Sequence, residues 1–350
     1  MSISLANLTR SYGAARAVDD LSAEIPAGCF FTVLGPSGCG KSTLLRLIAG
    51  LEPLDQGRIA LEGRAVAGPG LHLPPETRGV GVVFQSYALW PHMDVLGNVA
   101  FPIEAAGVRR TAARAEAAAH LDSVALTAFA QRRPADLSGG QRQRVALARC
   151  LAARARIVLM DEPLANLDPH LRAAMEEEMA AFHARAGATT LFITHDQREA
   201  MALSDLVAVM RAGRFEQIAA PQDLHDRPAT AFVAGFIGRG VVLDVTVTEA
   251  SPNRAKVRLP NGQALEVRAT GTARPGMGQV LLRPTDLRAG GDGHPATVLS
   301  AAYRGDHWEA RVALPGLPPL TVTLPQRVTV AEDLPLALCG GWLLPATAPL

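Results

Sequence analysis

Two short clusters in this 350-residue chain hold residue types suited to phosphate chemistry. The first is Gly35-Pro36-Ser37-Gly38-Cys39-Gly40-Lys41-Ser42, followed by Thr43. It fits G-x-x-x-x-G-K-[ST], a spacing in which glycines let the backbone curl so that successive N–H groups point at phosphate oxygens. A helix opening at Lys41 would add the partial positive charge of its N-terminus. Lys41 would reach the β- and γ-phosphates of a nucleoside triphosphate, and the Ser42 hydroxyl would be a Mg2+ ligand. The bland alternative, a Gly-rich structural turn, does not account for the lysine. Lysine occurs only at Lys41 and Lys256 in a chain whose 34 basic residues are otherwise arginine. A curled loop admits a slender point charge where it would not admit a planar fork. The second cluster is Asp161-Glu162, ending the apolar run Ile157–Met160. Asp161, at the C-terminal edge of such a strand, would supply a second carboxylate on the Mg2+ side, and Glu162 would polarise a water for attack on the γ-phosphate. Two acids at a strand end are common on surfaces, and they gain meaning only beside a phosphate loop.

The elements that must hold these residues are legible as alternation. Residues 28–34, 80–84, 157–161 and 189–194 read as buried strands, and residues 41–48, 111–121 and 171–186 as helices. Strands alternating with helices predict a parallel sheet covered on both faces. From about residue 240 the segments become short and β-rich (VVLDVTVT, RAKVRL, ALEVRA, QVLLRP, ATVLSAAY, WEARVAL), with turns such as Pro260-Asn261-Gly262. These predict a small all-β barrel or sandwich. The expected division is 1–238 and 239–350, with the boundary near Gly235–Gly240.

Composition narrows the function classes. With 34 basic and 33 acidic residues the formal net charge is +1, so the electrostatic footprint of a nucleic-acid binder is absent. Cys29, Cys39, Cys150 and Cys339 form no CxxC pair, which argues against a disulfide framework or a zinc site. No run of eighteen apolar residues predicts a membrane span, and the first residues predict no secretory signal. Any membrane role would come through a partner.

A third cluster selects among phosphate-binding folds. Leu137-Ser138-Gly139-Gly140-Gln141 precedes a helical run, so Ser138 and the Gly139 and Gly140 amides sit at a second helix N-terminus. Locally this is also a capping box, with Ser138 as N-cap and Gln141 three residues on. One chain cannot easily bring two such cradles to one γ-phosphate, whereas two chains arranged head-to-tail can. With this motif the sequence resembles the nucleotide-binding subunits of ABC transporters over about residues 3–238. GPSGCGKS resembles their Walker A and IVLMDE their Walker B, and LSGGQ is their signature. The resemblance implies an α/β P-loop NTPase with a helical subdomain that binds ATP and Mg2+ and hydrolyses ATP. It further implies that Tyr12 stacks on adenine, that Gln85 is the Q-loop residue sensing Mg2+ and the membrane partner, and that Asp168 is the D-loop aspartate. His195 is similar to the switch histidine that contacts the γ-phosphate. Catalysis would fall to Glu162, His195, Lys41 and Gln85, and metal ligation to Ser42, Gln85 and Asp161.

A lone ATPase unit followed by a β-rich region resembles importer ATPases with an OB-like regulatory (TOBE) extension. Phe215-Glu216-Gln217-Ile218 departs from their usual step before the extension, and Trp90 and Asp94 depart from the commoner Phe and Thr. The resemblance implies a homodimer at the cytoplasmic face of the inner (plasma) membrane, peripherally attached. It would bind permease subunits through Gln85–Phe101 and serve a periplasmic or extracellular solute-binding protein indirectly. Tyr87, Leu89, Trp90, Met93 and Val95 would line that docking site, with ordinary core packing as the alternative. The stretch from Ala65 to Gln85 is similar to that of ferric-iron, phosphonate and polyamine members, and ferric iron is the favoured cargo. An exporter ATPase is disfavoured by the β extension. A soluble ATPase acting on nucleic acid or the ribosome is disfavoured by the missing coiled coil, zinc modules and basic charge. Cys39 is expected to be a tolerated small side chain, with oxidation sensitivity the alternative.

Overall fold

The computed structural model describes residues 1–165 and 169–346. It parts into two compact units, Met1–Pro221 and Gln222–Leu350. That division falls before the expected 238/239 boundary, because residues just after Pro221 pack with the second unit. Ala234 buries against Leu281, Trp342 and Leu344.

In the first unit the strands are β1 (Ile3–Tyr12), β2 (Ala15–Ile25), β3 (Phe30–Leu34), β4 (Gln56–Leu61), β5 (Arg64–Gly68), β6 (Leu71–His72), β7 (Val80–Val83), β8 (Ile157–Asp161), β9 (Thr189–Thr194), β10 (Leu206–Arg211) and β11 (Arg214–Ala219). The helices are α1 (Lys41–Ala49), α2 (Val95–Ala105), α3 (Arg110–Ser123), α4 (Gly139–Ala152), α5 (Pro169–Ala186) and α6 (Gln197–Leu203). The main sheet has the order β11-β10-β3-β9-β8-β7 and is parallel except for the edge strand β11. Both faces are buried, and the period-2 rule divides them cleanly. Phe31, Val33, Ile157, Leu159, Leu191 and Ile193 face a core that includes Leu44, Leu45 and Ile48 of α1. Phe30, Val158, Met160 and Phe192 face another, with Leu147 of α4 and Met175, Met179 and Phe182 of α5.

A second sheet in this unit, β2-β1-β4-β5-β6, is antiparallel and was not anticipated from the sequence. Ile3, Leu5 and Leu8 of β1 and Leu21 and Ile25 of β2 join the α1 core. Repeated register shifts between β1 and β2 break the alternation that would have marked them as a hairpin. The expected helical subdomain is present: Val95, Val99 and Ile103 of α2, Ala113, Ala117 and Leu121 of α3, and Val145 and Ala148 of α4 share a core.

In the second unit, α7 (Pro221–Asp226) and α8 (Ala231–Phe236) precede β12 (Val241–Ala250), β13 (Arg254–Arg258), β14 (Ala264–Arg268), β15 (Gly276–Leu282), β16 (Leu287–Tyr303), β17 (Trp308–Ala313), β18 (Leu320–Leu324), β19 (Asp333–Leu338) and β20 (Trp342–Leu343). Strands β12-β13-β14-β20-β15 close a five-stranded barrel, as an OB-like unit requires, and β18-β17-β16-β19 form a four-stranded sheet. The Pro260-Asn261-Gly262 turn joins β13 to β14 with Gly262 at φ 84°. Among the described residues no helix is long and apolar enough to cross a membrane.

Candidate active site

The parallel strands deliver their chemistry at their carboxyl ends, where open α/β sheets place ligands. The fully buried β3 ends at Leu34, and the loop Gly35–Gly40 turns the chain into α1. Steric necessity fixes two of its glycines. A Cβ on Gly35 would lie 2.3 Å from the Met210 carbonyl oxygen, and Gly40, at φ 110°, would put one 1.9 Å from the Ala17 oxygen. Gly40 is also the N-cap of α1 and offers no side-chain cap, so the first amides of α1 have no side-chain competitor. Lys41 is buried, and its ammonium donates to the Gly35 oxygen at 2.8 Å and the Pro36 oxygen at 3.1 Å. The lysine therefore closes the loop on itself, with its charge beside the curled backbone. Cys39 is buried in the same loop and burial raises its thiol pKa, against a smaller opposing effect of Lys41, so the thiol stays protonated.

Ser42 donates from Oγ to Asp161 Oδ1 at 3.1 Å, which ties the first turn of α1 to the end of β8. Burial raises the Asp161 pKa, the Ser42 hydrogen bond opposes that, and the charge of Glu162 adds to it. Glu162 leaves the strand with φ 44°, a left-handed conformation unusual for a side chain of this size. Its amide still donates to the Ile193 oxygen at 3.0 Å, so β9 anchors the turn. His195 follows the fully buried β9, and its Nδ1 lies 3.1 Å from Glu162 Oε2. An ionised carboxylate only accepts, so Nδ1 carries the proton and Nε2 is left for another partner. Ser42, Asp161, Glu162 and His195 thus form one linked cluster beside Lys41.

The remaining expected residues stand apart from that cluster. Tyr12 is 47% exposed, its hydroxyl donates to Glu52, and the Arg10 guanidinium lies 5.1 Å from its ring centre. Gln85 is exposed just beyond β7. Ser138 and Gln141 form the reciprocal cap at the start of α4: the Gln141 amide donates to Ser138 Oγ at 3.3 Å, and the Ser138 amide to Gln141 Oε1 at 2.9 Å. Gly139 and Gly140 are the first residues of that helix. Asp168 lies outside the described residues.

The docking stretch needs correcting. Tyr87 and Val95 are buried, Tyr87 with Met160 and Leu164 and Val95 with the α2–α4 core, so neither lines an open groove. Trp90 and Phe101 do lie together toward the surface, with ring centres 4.3 Å apart and Phe101 38% exposed. Two residues of this region escaped the sequence reading. Asn98 is fully buried and bonds the backbone of Trp90, Met93 and Asp94. Arg149 of α4 donates to the Tyr87 and Ala88 carbonyls. Neither residue belongs to a motif; each acts on chain that is folded against it.

A model of the ABC transporter family matches residues 18–165, and one of the TOBE domain matches residues 280–339. The chain is 43% identical over 311 residues to the spermidine/putrescine import ATP-binding protein PotA of Rubrobacter xylanophilus, covering 87% of this chain and 81% of that protein. It is 41% identical over 314 residues to the Fe(3+) ions import ATP-binding protein FbpC of Agrobacterium fabrum, covering 89% of this chain and 87% of that protein. Among solved structures, a dimeric ATP-binding cassette in a post-hydrolysis state with ADP and Pi superposes with a TM-score of 0.56 at 28% identity, covering 63% of this chain and 98% of that one. The P-loop, the Asp161–Glu162 strand end and the signature turn therefore sit in the fold to which they correspond, and the chain belongs to the ABC transporter ATP-binding subunits, specifically to the import ATP-binding proteins that carry a C-terminal TOBE domain.

Proposed function

We propose that this ATPase works as a head-to-tail homodimer in which the loop Gly35–Thr43 of one copy and Ser138–Gln141 of the other enclose ATP. The observation that carries the reading is the linked cluster Ser42–Asp161–Glu162–His195 beside Lys41. Lys41 and the α1 amides hold the β- and γ-phosphates, and Tyr12 meets the adenine. Ser42 and Asp161 present a hydroxyl and a carboxylate oxygen 3.1 Å apart, a hard-oxygen pair suited to Mg2+. Bound there with Gln85 as a further ligand, Mg2+ would neutralise charge on the phosphates. Glu162 accepts a hydrogen bond from the attacking water and orients it, and His195 donates to Glu162 from Nδ1, with Nε2 donating to a γ-phosphate oxygen only when the ring carries both protons.

Closure of the dimer would be passed to permease subunits docked along Gln85–Phe101, at the cytoplasmic face of the membrane, and would drive import of a small solute. Ferric iron is the cargo favoured by the stretch from Ala65 to Gln85. The nearly equal identity to polyamine and ferric-iron importers supports polyamine import as the second reading. Stimulation of the assembled complex by a binding protein loaded with one cargo and not the other decides between them.

The site itself is tested by Glu162→Gln. Turnover should fall by about 10²–10⁴-fold, the contribution typical of a positioned base, while ATP stays bound and the chain elutes as a dimer. Hydrolysis at the wild-type rate would overturn the role given to Glu162.

A further inference from the structure

Between the phosphate cluster and the surface pair Trp90–Phe101 runs a turn with an unusual backbone. Tyr87 and Ala88 are consecutive non-glycine residues in the left-handed region, at φ 62° and 45°. Two such residues in a row are costly, and they persist only where the surroundings over-determine them. The determinant here is Arg149, more than two turns into the helix that the signature motif opens. Its guanidinium donates to the Ala88 oxygen at 2.8 Å and the Tyr87 oxygen at 3.1 Å. The guanidinium also lies 5.0 Å from the Trp90 ring centre. A planar fork can bridge two carbonyls while stacking on an indole, and an ammonium cannot.

The far side of the same turn touches the catalytic strand end. The buried Tyr87 ring packs in one core with Met160 and Leu164, the residues that bracket 161–163. Its hydroxyl donates to the Pro163 oxygen at 3.4 Å, a long hydrogen bond one residue past Glu162. One side chain on the signature helix is thus joined, through a single strained turn, to the peptide next to the residue that orients water.

We propose that Arg149 is a positioning residue for hydrolysis: by bracing Tyr87-Ala88 it presses Tyr87 against the backbone at Pro163 and so fixes where Glu162 stands. The brace also joins the helix that begins at Ser138 to the turn that carries Trp90, so a shift of either reaches Glu162 by the same route. The proposal rests on the role given above to Glu162.

The test uses the full chain with Arg149→Lys, Tyr87→Phe and the double variant, reading kcat, ATP affinity and hydrogen exchange at the Glu162 and Ala165 amides. Those amides donate to the Ile193 and Glu162 oxygens in the intact turn. Arg149→Lys should lower kcat about 10- to 100-fold, as a misplaced catalytic group does, with ATP affinity held within about twofold. Tyr87→Phe keeps the ring and removes only the hydroxyl, so kcat should fall by about fivefold. The double variant should be no worse than Arg149→Lys, because both act along one connection. Exchange at the two amides should quicken in every variant. If Arg149→Lys does not fold, Tyr87→Phe alone decides. Unchanged exchange overturns the brace whatever the rate. Faster exchange with unchanged kcat means that the brace stiffens the turn without serving hydrolysis, and overturns the proposal; the role of Glu162 stands or falls separately, with Glu162→Gln. Loss of ATP affinity in step with kcat means that the turn only supports the fold, and overturns the proposal.

Discussion

The chain opens two helices at glycine-rich turns, and their N-termini are finished in opposite ways. At α1 the N-cap is Gly40, with no side-chain cap and no acidic residue in the first turn. At α4 the N-cap is Ser138, and Ser138 and Gln141 satisfy each other's amides. The first end keeps its backbone donors clear of side chains and holds a buried lysine against the loop. That arrangement suits the phosphate site proposed above. At the second end the cap engages the amides of Ser138 and Gln141 and leaves those of Gly139 and Gly140 to other partners. The difference fits a site whose nucleotide is bound first by one surface and then clamped by another.

Lys41→Arg should break the first end hardest. The Lys41 ammonium is enclosed by the Gly35 and Pro36 carbonyls, and a guanidinium does not fit that enclosure. Turnover should fall by about 10²–10³-fold, the scale of losing one preorganised charge contact. Lys256→Arg is the matched control: that ammonium is solvent-exposed and pairs with Glu249 at 2.7 Å on a barrel hairpin. Turnover and Tm should both be unchanged. Near-normal hydrolysis by Lys41→Arg would remove the distinction between the two helix ends.

Ser138 separates capping from clamping at the second end. Ser138→Ala deletes the cap and should cost about 1 kcal/mol of stability, visible as a Tm lower by a few degrees. Ser138→Asp restores a cap but brings a negative charge to a place proposed for phosphate. Tm should recover while turnover in the dimer stays low. Recovery of both would mean that the motif is only a helix cap.

What the sequence made legible follows from how each feature is encoded. Strands β3, β8 and β9 are buried on both faces, so β3 and β8 read as largely apolar runs and β9 as an apolar centre flanked by threonines. The loop Gly35–Ser42 is encoded locally, by glycines that nothing else could replace and by one lysine. The antiparallel sheet was missed because β1 and β2 pair through shifted registers, leaving no clean alternation. The docking stretch misled for a related reason. Tyr87 and Val95 look like surface anchors in a polar segment, yet Tyr87 fills a core with Met160 and Val95 fills one with α2–α4. Arg149 carries no local signal, because its two acceptors lie about sixty residues earlier in the chain and form only when the turn folds against α4.

The smallest expected effect concerns the cost of keeping the first end ready. Burial is the main cause that raises the Asp161 pKa, with the Glu162 charge adding to it and the Ser42 hydrogen bond opposing it. An acid whose native pKa lies above its unfolded value binds its proton more tightly when folded, so stability falls as pH rises through that window. Below the unfolded value of about 3.8 the penalty is absent, and it grows as pH rises from there through the raised native value. Asp161→Asn removes the charge and keeps an oxygen for the Ser42 hydroxyl. Without nucleotide, its Tm at pH 7 should rise slightly above the parent's, and the advantage should disappear as pH falls toward 4. Binding of Mg2+ with ATP should weaken in the same variant, since the site gives up stability to hold a buried carboxylate for the cation. A lower Tm at pH 7 would show that the ionised Asp161 is held favourably after all, by partners within the chain.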